Sequence, residues 1–293
     1  MAEELFLSLH KFYPQAEKLF QKRFFYPELV YRPFLTIEEQ NSWIAKSSDP
    51  SISNFIHSTY ASPQYGDQLF DPLGGILVKQ GGYLDTQNFI KSTRDFFVGK
   101  NSFKEEKFDI QEMVDFEDYI EYKSIRAVKV IFCNGVSDDS HFNWLPVRKL
   151  KGEVLQVRLL EKPRVIYNRG VYLVAIADGD VYKVGSTYEL GDLSHSITEK
   201  GREELEQKMK NLIKIPHEII AHEWGIRPTT RDRKPILGAW PEYKNRVIFN
   251  GLGTKGVSLA PYFSWHLANW LEGKGEILRE VNIKRFNPLS SGS

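Results

Sequence analysis

The sequence predicts a mixed α/β fold in which an antiparallel sheet is interleaved with an α/β layer. Three observations carry this. Through much of the chain, isolated apolar strands alternate with helical patterns, as an α/β layer requires. Between residues 151 and 187 the pattern changes to closely spaced antiparallel strands: GEVLQVRLL, PRVIYN, VYLVAIA and VYKVGST. Asp178-Gly179 marks a tight hairpin between the last two. Finally, RVIFN, a glycine-rich turn and the apolar segment VSLAPYFSWHLANWL read as strand, turn and helix.

Ala2 to Phe12 reads as a helix, with Leu5, Leu7, Leu9 and Phe12 apolar among charged residues. Glu28 to Leu35 is a strand, after which Thr36 caps a short helix, with Glu39 at capping-box spacing. Serine, proline and asparagine make Ser47 to Asp67 loop-rich. Gly74 to Lys79 is a strand. Asp85 or Thr86 then caps a helix through Val98, with Phe89, Ile90, Phe96 and Phe97 expected inward. Ala127 to Cys133 is apolar enough for a buried strand and ends on the turn Asn134-Gly135. A charged amphipathic helix covers Thr198 to Leu212, and the strand Ile219 to Ile226 delivers Arg227. Arg246 to Asn250 is a strand, and Val257 to Leu271 a helix.

Composition sets the outer limits. The chain has 293 residues, 41% hydrophobic and 26% charged, enough for one large or two ordinary domains with a sizeable core. With 39 basic and 38 acidic residues and no long run of one sign, it offers no nucleic-acid surface. No apolar run approaches the roughly 20 residues of a membrane span, and the N-terminus is not a basic-then-apolar signal. The lone cysteine, Cys133, excludes an internal disulfide, and the seven histidines show no metal-ligand spacing. A cytoplasmic protein is expected.

The chemistry-bearing residues cluster late in the chain. On a strand, Glu223, Gly225 and Arg227 share one face and His222, Trp224 and Ile226 the other. Gly225 lets a ligand approach the backbone, and a guanidinium is the natural bidentate partner of a carboxylate. The bland alternative is that Arg227 pairs with Glu223 or caps a loop. Gly251 to Gly256 matches G-x-G-x-x-G between strand and helix, literally a dinucleotide fingerprint. Too little chain comes after it for a doubly wound domain. A wider reading is bare amides and the positive helix end aimed at something electron-rich, against a plain glycine turn. Tyr167, Tyr172, Tyr182 and Tyr188 lie on the antiparallel strands as pocket-lining or core residues.

The segments GGYLDT (81–86), VIFCNG (130–135), KGEVLQV (151–157), VGST (184–187), GIRPTTRDRKPILG (225–238) and GLGTKGVSLAP (251–261) resemble, in order, the D-amino-acid oxidase and glycine oxidase family of FAD-dependent oxidoreductases. The resemblance implies an FAD-binding Rossmann-like layer in 73–149 and 223–286. It implies an antiparallel substrate domain in 20–72 and 150–222, and leaves 1–19 as a lead-in helix. The family opens on a βαβ unit with its own G-x-G-x-x-G, whereas this chain opens on a helix, so an N-terminally truncated layer is expected. The implied activity is hydride transfer from the α-carbon of an amino acid or amine to flavin. Arg227 then binds the substrate carboxylate, and Tyr182 joins it in the catalytic site. Asn134, Gly135, Gly225, Gly253, Thr254, Lys255, Gly256 and Val257 face the cofactor. Cys133 is placed in an apolar strand, so the FAD is expected to be non-covalent, with no metal. The alternative is a non-catalytic remnant or binding module that has lost the cofactor.

Overall fold

The computed structural model describes residues 2–176, 179–192 and 194–286. The described chain divides into two compact units, one from 2–15, 94–150 and 226–286, the other from 16–93 and 151–225.

The second unit is built on an eight-stranded sheet. Its strands lie in the order His217–Thr230, Val147–Leu159, Val181–Gly185, Val171–Ala175, Ile166–Arg169, Val30–Pro33, Gly75–Val78, Ile56–Tyr60. Within it, Ile166–Arg169 and Val30–Pro33 run parallel. Leu155, Val157, Leu173 and Val184 on one face pack against Leu205 and Met209 of the helix Glu199–Lys210. Thr198 caps that helix by accepting from the Gly201 amide at 3.0 Å. Residues of opposite parity, Tyr172, Val174, Gln156 and Lys183, stay half-buried on the other face. The expected hairpin forms to the extent that Val171–Ala175 and Val181–Gly185 pair antiparallel; Asp178 itself lies outside the described residues.

In the first unit, Tyr243–Asn250 pairs antiparallel with Ile236–Trp240 and parallel with Val130–Phe132. Over Ile236–Trp240 and Tyr243–Asn250 apolar groups pack on both faces of this sheet, as in α/β layers. Leu237 and Val247 meet Leu259, Phe263 and Leu267 of the helix Gly256–Leu271. Their neighbours Ile236 and Ile248 meet Phe132, Leu145 and Trp240 on the opposite face.

Several expectations are corrected. The first helix, expected over Ala2 to Phe12, runs Ala2–Phe20, past Pro14, and buries Leu9, Tyr13 and Ala16, while Leu7 and Phe12 are exposed. Within 47–67, Asp49 caps the short helix Pro50–Ser53 with proline in its first turn, and Ile56–Tyr60 is a strand. The helix Thr86–Gly99 buries none of its residues, and Ile90 is 65% exposed. The apolar stretch at 127–133 contains the short edge strand Val130–Phe132. Paired on one side by Tyr243–Asn250, it leaves Val128, Ile131 and Cys133 exposed. Gly75–Val78, assigned from sequence to the cofactor layer, pairs instead within the eight-stranded sheet. The strand expected to stop at Ile226 continues to Thr230, so Arg227 lies inside it.

Candidate functional site

The first unit brings three of the sequence-marked segments together. Because Val130–Phe132 and Tyr243–Asn250 run parallel, with Phe132 opposite Ile248, Asn134 and Asn250 emerge side by side at their carboxyl ends. Crevices at such ends are where open α/β sheets bind ligands. Asn250, 4% exposed, ties the two ends together. Its Nδ2 donates to the Gly135 carbonyl at 2.7 Å and to Asn134 Oδ1 at 3.3 Å. Its Oδ1 accepts from the Gly251 amide at 2.7 Å.

The end of the strand that carries Arg227 closes on the same place. A Cβ at Gly251 would come within 2.8 Å of Thr230 Cγ2, and one at Gly253 within 3.2 Å of Thr229 Oγ1. Gly135, Gly251 and Gly253 also have φ of +61°, +73° and +56°. Glycine at 251 and 253 is therefore required by conformation and by space.

Beyond these glycines the chain starts a helix without the usual capping partners. Gly253–Lys255 forms a 3₁₀ turn, and the helix Gly256–Leu271 begins at once. Neither element has a side-chain cap, and no acidic residue sits in the helix's first turn. The amides from Gly256 onward thus carry the positive end of the helix dipole without internal neutralisation. At the other side of this turn, the Val257 carbonyl would ordinarily accept from residue 261. That residue is Pro261, which has no N–H. The Tyr13 hydroxyl donates to it instead, at 2.8 Å. Tyr13 is 2% exposed, and burial pushes its phenol above the usual tyrosine range, so it remains a donor.

Arg227 is half-buried two residues before Thr229. Glu223, its expected partner under the bland reading, accepts from Gln156 Nε2 and from Lys183 Nζ, the latter at 3.0 Å. Gly225 belongs to the other unit, and the space a side chain would take there is open. Tyr182 is 4% exposed and packs with Leu173 and Val184, because strand alternation turns it to the core face. Tyr172, one strand over, is the tyrosine on the half-buried face, its ring lying across Gly185. Cys133 lies just past its strand rather than inside it, and is exposed. Sequence reasoning missed Asn250, Thr229, Thr230 and Tyr13. For Tyr13 alone a signal existed, the orphaned acceptor four residues before Pro261.

Residues 58–270 match the family model described as FAD dependent oxidoreductase. The chain belongs to this family. Among curated proteins it is 30% identical over 143 residues to glycine oxidase from Bacillus subtilis, covering 46% of this chain and 38% of that protein. It is 24% identical over 290 residues to D-amino acid dehydrogenase from Helicobacter pylori, covering 90% of this chain and 67% of that one. The match thus spans well under half the length of the glycine oxidase. Among solved structures, glycine oxidase from Geobacillus kaustophilus superposes with a TM-score of 0.78 at 17% identity, over 97% of this chain and 82% of that one. At that identity the likeness shows the fold. No helix among the described residues is long and apolar enough to cross a membrane.

Proposed function

We propose that this chain serves an FAD-dependent oxidation of an amino acid or amine in the cytoplasm, with the flavin held non-covalently. The observation that carries the reading is the junction of Asn134-Gly135, Thr229-Thr230 and Gly251–Val257 at the carboxyl ends of two parallel strands. Its side-chain-free glycines and uncapped helix start fit a flat, electron-rich ring and leave little room for any residue larger than glycine at 251 and 253. When bound, FAD accepts the hydride that leaves the substrate α-carbon.

The residues do the rest. Gly253 to Val257 would hold the flavin pyrimidine edge with their amides and the helix N-terminus, which favour the negative charge that accumulates on reduction. Asn134 and Gly135, fixed by Asn250, would hold the dinucleotide. Arg227 pairs with the substrate carboxylate and orients the α-carbon. Loss of the hydride leaves an iminium carbon, and the chemistry asks for positioning more than for a proton-transfer group.

The test is an absorbance spectrum of the desalted protein after incubation with FAD, with flavin bands expected at about 370 and 450 nm. A colourless protein would mean that the chain is a binding module which shares the family's ancestry and not its chemistry. In a flavin-loaded sample, Arg227→Ala should raise KM for a carboxylate substrate about ten-fold or more, from the loss of a charge-assisted pair. An unchanged KM would assign Arg227 to structure.

A further inference from the structure

The unit of the eight-stranded sheet holds a second cleft, of about 580 Å³, none of whose lining residues forms the junction of Asn134-Gly135, Thr229-Thr230 and Gly251–Val257. That volume suits a small molecule. Its floor is apolar: Leu173 is 2% exposed, and Leu29, Val165 and Ala175 pack against the same core. One wall is rigid. Tyr26 and Tyr83 face each other across an antiparallel strand pair and stack at 4.8 Å and 9°, with the Arg23 guanidinium 4.7 Å above the Tyr26 ring.

The rim carries opposite charges. Arg23 and Lys162 supply cations and Glu28 a carboxylate. The remaining cation, Arg164, is committed to Asp67 through its two terminal guanidinium nitrogens. Lys162 is positioned through its carbonyl, which accepts from Gln68 Nε2 at 3.1 Å, and Glu28 through its amide, which donates to the Gly81 carbonyl at 3.2 Å. Partial desolvation pushes the Glu28 carboxyl up, with the Lys162 charge pulling it back. Burial, and then the Glu28 charge, push the Tyr182 phenol up, so this core ring that borders the cleft keeps its hydroxyl proton.

We propose that this cleft binds a small zwitterion, an amino carboxylate with an apolar side chain. Its ammonium meets Glu28, its carboxylate meets Lys162 and Arg23, and its side chain rests on Leu173 and Ala175. A phosphate ester is disfavoured by Glu28 and a simple amine by the two cations, whereas a zwitterion satisfies both signs at once. The proposal does not depend on the oxidase reading, because none of these residues takes part in it.

The experiment is isothermal titration calorimetry of L-leucine into the full chain carrying Arg227→Ala, which removes the carboxylate contact proposed for the substrate. Saturable binding of one L-leucine per chain is expected, with Kd on the order of a millimolar. Glu28→Gln and Lys162→Ala should each weaken it about ten-fold or more. So should removing the matching group from the ligand, with 4-methylpentanoate or 3-methylbutylamine as probe. Both substituted residues are exposed, so circular dichroism should be unchanged. Ala175→Trp, which fills the floor, should abolish binding. Absence of L-leucine binding overturns the proposal, as does binding that Glu28→Gln and Lys162→Ala leave unaltered. Flavin retention is read separately and leaves this result untouched.

Discussion

Tyr13→Phe removes one oxygen and, with it, the hydroxyl that donates to the Val257 carbonyl. The helix cannot replace it, because the residue four positions on is Pro261. A buried carbonyl left without a partner costs about 1–3 kcal/mol. The bond is short, at 2.8 Å and part-buried, and Tyr13 is 2% exposed, so a loss of about 1.5 kcal/mol is expected. In a protein of this size that lowers Tm by a few degrees. The decisive comparison is a double-mutant cycle with Pro261→Ala, which returns an N–H to the helix at the position that serves Val257. In that background Tyr13→Phe should cost less than about 0.5 kcal/mol, a coupling of about 1 kcal/mol. Urea unfolding of the four proteins, with m held constant, reads all the terms. Equal cost of Tyr13→Phe in both backgrounds would refute the reasoning and assign the phenol's value to packing alone.

Asn250→Ala strips the Gly135 carbonyl and the Gly251 amide of their partner, so about 2–4 kcal/mol of stability should be lost and FAD binding weakened with it. Asn250→Asp keeps the acceptor for Gly251 but sets a carboxylate oxygen against the Gly135 carbonyl. It should therefore also destabilise, and a neutral result in urea would count against the clamp. Glu39 gives a pH dependence. Burial pushes its carboxyl up, but the Arg169 guanidinium at 2.7 and 2.9 Å, the Leu35 amide and Arg32 outweigh this and hold it below the usual range. The unfolded chain, with a carboxyl near pH 4.3, therefore takes up the proton first. The pair's contribution is present above about pH 5 and is lost as pH falls through the lower folded value. Arg169→Met should flatten the stability profile below about pH 5, and an unaltered acid limb would show that the pair contributes nothing there.

Local chemistry was enough to mark much of this protein in its sequence. Thr36 and Thr198 cap the helices they precede because a hydroxyl on an extended residue, placed just before helix formers, reaches a free amide of the first turn. The change to antiparallel strands after Lys151, and the strand–glycine–helix succession at 246–271, were legible because period-two alternation and glycine are local signals. The motifs also carried the family, and with it the expectation that Arg227 and Gly253 to Val257 serve one site.

Tertiary structure decided what those signals meet. Alternation defines two faces of a strand and not which of them is inside. Of the tyrosines on these strands, the fold turns Tyr182, expected in the catalytic site, to the core face, and leaves Tyr172 half-buried on the other. An apolar run does not say how many neighbours a strand will have, so the stretch at 127–133 proved to hold an edge strand with exposed side chains. Gly75–Val78 joined the larger sheet because strand pairing is a non-local choice, made by register with Val30–Pro33 and Ile56–Tyr60. The orphaned carbonyl at Val257 can be read from Pro261 alone, but its donor lies 244 residues away, and only folding brings Tyr13 to it.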